Sequence, residues 1–266
     1  MKSIGVGYSQ TKAFSYLSVV SNEKEKQLKI IQENIKDIKK NSFLDVGAGA
    51  GDIFIPLTKE FKESVGVEPG EKMFDVLKKR SKNNKNIKLY KKTWENYFKK
   101  NKKKKFDLII LVHAIYFFED VKKEIENLIS LLNKKGKLII VCGSGKKVEK
   151  REFNTRFTTY FRHKFLGADL NKKSYFDIPV WFPEMKCKRF KCFLKLRNLK
   201  YLDKDHLSKE SEATNNSFKF IFKRWWDEYT VNEKKELKEY LKRYLTKDKE
   251  YYIVPNYDQR IYIYRK

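Results

Sequence analysis

Two stretches of this chain are apolar almost without interruption: Phe106–Val112, reading FDLIILV, and residues 137–142, reading KLIIVC. A strand with one wet face alternates apolar and polar side chains, whereas a run without alternation needs cover on both faces. Shorter strand candidates lie at Ser42–Val46 (SFLDV), 64–67 (SVGV) and Ile87–Tyr90. Helical patterns separate them, over residues 22–40, about 53–62, 73–82 and 121–132. In the first of these, Leu28, Ile31, Ile35 and Ile38 share a face, and Asn22 with Glu25 suits an N-terminal cap. Buried strands alternating with helices predict an α/β fold, a mostly parallel sheet with helices on both faces. Such sheets bind ligands outside the carboxyl ends of their strands, where the strand order reverses. The turns after Val46, Val67 and Val112 are therefore the places to look.

The turn after the first strand reads Asp45-Val46-Gly47-Ala48-Gly49-Ala50-Gly51-Asp52. Alternate glycines permit positive φ and let the backbone approach a ligand closely, here at a helix N-terminus. A dinucleotide fingerprint would need glycine where Asp52 stands, and a P-loop would need Gly-Lys-Ser/Thr. Asp45 would also repel a pyrophosphate, and suits instead a ligand bringing an amine or sulfonium. Glu68 ends the second strand, where a carboxylate accepts hydrogen bonds from the ribose hydroxyls of an adenosine. Pro69-Gly70 then turns the chain, and Met73 lies within reach of sugar or base.

FLDVGAGAGD (43–52), VGVEPGEKM (65–73), FDLIILVHAIYFFED (106–120) and GKLIIVCGSG (136–145) occur in the order and spacing of one family. In these residues the chain resembles the class I S-adenosylmethionine-dependent methyltransferases. The resemblance implies a Rossmann-like, doubly wound, mostly parallel seven-stranded sheet whose last strand is antiparallel, with S-adenosyl-L-methionine as cofactor. It implies that Asp45, Gly47 and Gly49 cradle the methionine part, with Gly51 giving room, and that Glu68 holds the ribose. It implies further that Pro69 and Met73 shape the adenosine site, that Thr93, Trp94 and Glu95 form the adenine edge, and that Val112 and His113 face the methyl group. At the adenine edge the chain departs from the common Asp-Ala pair. A finer similarity, to the histamine N-methyltransferase-like branch, is carried by Tyr8, Phe14 and Tyr16, VEPGEKM, HAIYFFED and the SGSG-like residues before a basic stretch.

Methyl transfer is an in-line displacement with a good leaving group, so alignment of the acceptor is the main requirement. His113 is the candidate catalytic base. Tyr8, Tyr16, Tyr116 and Phe117 are candidate substrate contacts, and Trp181, Phe182, Trp225 and Trp226 are candidates for an aromatic wall around a cationic amine. After the fourth strand stands Val112-His113-Ala114-Ile115. The Asn/Asp-Pro-Pro-Tyr/Phe signature common among methylases of nucleic-acid amino groups is missing there. The expected acceptor is accordingly an N or O nucleophile of a small molecule.

Composition supplies the rivals. The chain of 266 residues carries net charge +27, which makes nucleic acid a candidate partner and an RNA methyltransferase the first alternative. Yet 51 of the 61 basic residues are lysine, whereas direct readers of bases favour arginine. A non-catalytic cofactor-binding scaffold is the second alternative, opposed by the intact Asp45, glycine turn and Glu68. An aromatic content of 15% opposes disorder. No apolar run reaches the roughly 20 residues that span a bilayer, so no membrane insertion is expected. Three cysteines make no disulfide framework, and no Cys/His cluster has metal spacing; a cytoplasmic location is expected.

Past Gly145 the pattern loosens and aromatics accumulate. Residues 232–245 read as an amphipathic helix, and 260–264 (RIYIY) as an alternating strand. The expected organisation is an N-terminal helical segment or lid (1–40), a cofactor-binding core (41–145), and a substrate-capping region (146–266) that returns to the sheet with the strand 259–265.

Overall fold

The computed structural model describes residues 21–143, 178–197, 216, 226–242 and 251–266. In chain order the elements are α1 (Glu23–Asn34), β1 (Ser42–Val46), α2 (Phe54–Thr58), β2 (Glu63–Val67), α3 (Glu71–Ser81), β3 (Ile87–Tyr90), α4 (Trp94–Asn101), β4 (Phe106–Val112), α5 (Val121–Ser130), β5 (Leu132–Gly143), α6 (Ile178–Trp181), β6 (Lys186–Arg197), α7 (Val231–Lys242) and β7 (Tyr251–Arg265). Single 3₁₀ turns occupy Ile115–Phe117 and Trp226–Glu228. The chain divides into two compact units: residues 24–145, 174–190 and 259–266 form one, and residues 1–23, 146–173 and 191–258 the other.

The sheet has seven strands in the order β3-β2-β1-β4-β5-β7-β6. β1 pairs in parallel with β2 and β4, β2 with β3, and β4 with β5, while β7 runs antiparallel to β5. The expected doubly wound, Rossmann-like sheet with an antiparallel last strand is what forms.

The unbroken apolar runs are explained by two cores. On one face Leu108 and Ile110 of β4, Ile139 and Val141 of β5, and Ile261 and Ile263 of β7 pack with Ile31, Ile35, Phe54, Leu57 and Leu77 of α1, α2 and α3 and the turns beside them. On the other, Ile109 and Leu111, Leu138, Ile140 and Cys142, and Tyr262 pack with Trp94, Tyr97, Ile125, Leu128 and Ile178 of α4, α5 and α6. Neighbouring residues of one strand thus enter opposite cores, which is why β4 cannot tolerate alternation.

Boundaries moved in places. α1 ends at Asn34 rather than near residue 40, and Ser21 Oγ accepts the N–H of Glu23, the first helical residue, at 3.0 Å. β5 begins at Leu132 and β7 at Tyr251, both earlier than their apolar cores suggest. The helix α4 was hidden by its lysines. Its N-cap Thr93 accepts from the Asn96 N–H, and Trp94 and Tyr97 turn inward while Lys99 and Lys100 lie in the last turn. In the second unit, Thr230 and Glu233 exchange hydrogen bonds in a capping box that starts α7. Leu237 of that helix is buried, and the ammonium groups of Lys234 and Lys238 each lie 5.6 Å from the centre of the buried Trp226 ring.

Candidate active site

The strand order reverses between β1 and β4, so the crevice of this sheet lies outside Val46 and Val112. The glycine turn follows β1 directly. Gly47 and Gly49 have φ of +81° and +55°, and Gly51 of +88°. The Gly47 and Ala48 N–H groups donate to the Val67 carbonyl at 2.8 and 3.1 Å, which pins the turn to the end of β2. A Cβ on Gly47 would stand 2.5 Å from that of Ala114, so the turn is seated against the chain leaving β4. A Cβ on Gly49 would meet nothing within 4 Å. At its far end the turn is stapled by Arg80 Nη1, which donates to the Ala50 carbonyl at 2.7 Å and to Asp52 Oδ1 at 2.6 Å.

Two carboxylates flank this turn. Glu68 is 1% exposed, and its oxygens accept from the Gly49 N–H at 2.8 Å and the Gly70 N–H at 2.7 Å. Burial raises its pKa, and the two backbone donors work against that rise. Asp45 is 2% exposed, and its Oδ1 has no hydrogen-bond partner among the described residues. Burial, with the Glu68 charge second, holds the Asp45 carboxyl well above its ordinary value, and the Lys24 ammonium opposes the shift. An unsatisfied buried carboxylate oxygen is costly. Together with the open backbone at Gly49, it fits a ligand that brings a cationic donor to this turn and hydroxyls to Glu68. The residues present therefore suit an adenosyl sulfonium with its amino-acid tail.

The remaining candidates fall into groups. Pro69 is half-buried, and Met73 of α3 is 6% exposed. Thr93 is committed to its helix cap. Trp94 is 4% exposed within the core, and its Nε1 donates to Glu124 Oε2 at 2.6 Å. Glu95 instead lines a cavity of about 470 Å³ with Phe117, Glu119, Asp120, Lys123 and Glu124. Val112 is half-buried against the core. His113 has φ of +54°, a left-handed conformation uncommon outside glycine. Its Nε2 lies 2.9 Å from Gln27 Nε2, and its Nδ1 lies 3.3 Å from the Tyr116 hydroxyl. Tyr116 and Phe117 are 41% and 50% exposed. Tyr8 and Tyr16 lie outside the described residues, as does Trp225 of the aromatic wall. Phe182 is buried in the core, with Trp181 half-buried against it.

Sequence reasoning missed Gln27, Gln259 and Arg80. Gln27 stands one helical turn before Ile31, on the face that turns inward, and is 0% exposed, as is Gln259. A polar residue on an apolar helical stripe was the available signal for Gln27.

Comparison with known proteins bears on the same segment. A family model described as a methyltransferase domain matches residues 20–190. Among solved structures, the YcgJ protein of Bacillus subtilis is 14% identical, with a TM-score of 0.56 over 91% of this chain and 99% of that one. The N-methyltransferase NodS of Bradyrhizobium japonicum is 11% identical, with a TM-score of 0.50 over 92% of this chain and 96% of that one. At such identities these two matches speak for the fold. No curated protein matches the chain in sequence.

Proposed function

The chain belongs to the methyltransferase-domain family and is an S-adenosylmethionine-dependent methyltransferase, and on that premise we propose that it methylates an N or O nucleophile of a small molecule. The observation that carries the acceptor class is the cavity lined by Glu95, Phe117, Glu119, Asp120, Lys123 and Glu124. It lies by the loops that follow β3 and β4, and about 470 Å³ suits a small molecule. On a chain of net charge +27, a cavity with four carboxylates and one half-exposed aromatic ring favours an amine-bearing guest over a phosphate backbone.

S-adenosylmethionine, when bound, supplies an electrophilic methyl group on a sulfonium. The residues of this chain bind and orient. Asp45 takes the cationic part of the cofactor at its unsatisfied oxygen, and Gly47, Gly49 and Gly51 keep side chains out of the way. Glu68, held rigid by the Gly49 and Gly70 N–H groups, accepts the ribose hydroxyls on its remaining lone pairs. Pro69 and Met73 border the adenosine, and Val112 and His113 close the end of β4.

A second reading, an RNA acceptor, is favoured by the edge of the sheet. From Lys78 to Lys105 the only acidic residue is Glu95, and the lysines of this stretch are exposed. Lys104 and Lys102 sit over the rings of Tyr90 and Phe98. This reading requires binding that weakens steeply with salt.

The test has two parts. Calorimetric titration with S-adenosylmethionine is expected to show binding that the Glu68→Ala variant loses. Labelled methyl groups, offered with metabolite, RNA and protein fractions, are expected in the metabolites. Label confined to RNA would replace the proposed acceptor with the second reading.

A further inference from the structure

β1 to β5 run parallel, so their amino ends share one end of the sheet, and the crevice outside Val46 and Val112 lies at the other. The two ends differ in charge. At the crevice end, residues 45–52, 68–72, 91–95 and 113–124 hold eight carboxylates and five lysines. At the amino end, residues 39–41, 59–63, 82–86 and 102–105 lead into β1, β2, β3 and β4. Residues 133–136 join them as a bulge of β5, between the pairings of Leu132 with Phe106 and of Lys137 with Leu108. These five short segments hold twelve lysines and two carboxylates. Lys40 is paired with one of the carboxylates, Glu60. The other eleven lysines are exposed, and none forms an ion pair among the described residues. Nearby Asp37 is taken up by Lys137 and Arg265. Helix dipoles favour lysine in a last turn or at a C-cap, which accounts for Lys59, Lys82 and Lys102. They do not account for Lys39, Lys62, Lys85, Lys134 and Lys135, or for the run from Lys103 to Lys105.

We infer that this end of the sheet is a docking face for the phosphates of a double-helical RNA, and that the RNA is anchored there rather than methylated. Like charge gathered from five segments repels itself, and a polyanion relieves that repulsion. Five strands at spacings of about 4.8 Å make the band roughly 19 Å wide. A duplex with one phosphate per roughly 1.7 Å of its axis meets such a band through several phosphates at once. Lysine suits this use, because a compact charge on a flexible stem needs no bidentate geometry. No large apolar side chain is exposed in these segments, so an anionic membrane lacks the inserted groups that hold a protein at its surface. The segments are short turns and a bulge, not a helix or ribbon shaped for the major groove of DNA, whereas double-stranded RNA is recognised through its shape and its phosphates. An RNA seated at the amino ends faces away from Val112 and leaves the crevice open to a small acceptor. The inference therefore goes beyond the proposed function and differs from the RNA-acceptor reading.

Fluorescence anisotropy of the full chain with a labelled RNA duplex of about 20 base pairs, followed across salt, tests this. Micromolar affinity is expected near roughly 0.15 M salt. Two triple variants remove the same charge from exposed positions: Lys82→Gln, Lys103→Gln and Lys134→Gln at the amino end, and Lys72→Gln, Lys92→Gln and Lys122→Gln at the crevice end. The first is expected to weaken binding about tenfold or more and to flatten the slope of log affinity against log salt by about 2–3, one phosphate contact per lysine. The second is expected to stay within about twofold of wild type, because charges beyond a Debye length are screened. Unchanged thermal melts show that both variants are folded, and the bound RNA is expected to take up no labelled methyl. No binding by the wild type, equal losses in the two variants, tighter binding to a DNA duplex of the same length, capture only by phosphatidylserine vesicles, or label in the RNA would each overturn the inference.

Discussion

Replacing Asp45 by asparagine should stabilise the empty protein while it weakens the cofactor site. Asp45 is 2% exposed, and its Oδ1 has no hydrogen bond among the described residues. A buried carboxylate left unsatisfied costs more than a neutral amide in the same place, by a margin on the order of 1–3 kcal/mol. Asparagine has the same shape and no charge to desolvate, and the repulsion from Glu68 disappears with the charge. In a chain of this size about 1 kcal/mol corresponds to roughly 2–4 °C in Tm. A rise on the order of 5 °C is therefore expected near neutral pH. Because burial lifts the folded-state pKa of Asp45 above its ordinary 3.8, folding favours the protonated carboxyl. That contribution is full in acid and lost as pH rises from about 3.8 through the raised value. The asparagine side chain does not titrate, so variant and wild type should melt together in acid and separate as pH rises. Thermal melts of the unliganded proteins across pH check this. Calorimetry with S-adenosylhomocysteine should show affinity weaker by roughly 10–150-fold, the equivalent of one charge-assisted hydrogen bond. A variant that melts below wild type at neutral pH, or that binds as tightly, would refute the idea of a carboxylate kept unsatisfied for a cation.

Three further substitutions probe the frame around it. Gly47→Ala forces a left-handed φ of +81° on alanine and drives its Cβ to 2.5 Å from Ala114, so urea denaturation should show a loss of about 2–4 kcal/mol; adding Ala114→Gly should recover the steric part alone. Glu68→Gln replaces an oxygen that accepts from Gly49 or Gly70 with an amide donor, and should cost about 1–3 kcal/mol of stability together with detectable S-adenosylhomocysteine binding. Trp94→Phe keeps an aromatic ring in the core but deletes the 2.6 Å bond to Glu124. It should cost about 0.5–1.5 kcal/mol in the same denaturation assay, because Glu124 Oε2 keeps the Asn127 Nδ2 donor at 3.0 Å, and a neutral result would mean that this second donor satisfies Glu124 by itself.

What the sequence disclosed and what it hid follow from the range of the interactions. β4 was legible because both its faces are buried, which leaves a run that no other element of that length explains. The glycine turn was legible because left-handed φ values and close approach restrict the residue choice locally. α4 was obscured because exposed lysines cover the outside of a short helix whose apolar positions, Trp94 and Tyr97, are also good strand residues. Trp94 illustrates the same limit at the site. Its place after β3 suggested an adenine edge, and the side chain turned out to fill the core beneath Glu124. Gln27 and Gln259 are separated by 232 residues and meet only because α1 packs on the sheet next to β7.

The buried Gln27–Gln259–His113 cluster also bears on why the site is placed at β4. Residues up to Val112 are fixed by the ladder to β5, and the His113 N–H still donates to the Val141 carbonyl at 2.8 Å. The backbone then turns left-handed, and the next residues pack on Gly47. Strain at a residue so tightly held persists only where its surroundings over-determine it. Here those surroundings are a ladder bond, two amides, a tyrosine and a glycine, drawn from segments far apart in the chain. Loosening one of them would free the others by little, so the end of β4 offers a fixed reference against which cofactor and acceptor can be aligned. In-line transfer depends on that alignment more than on any single proton transfer.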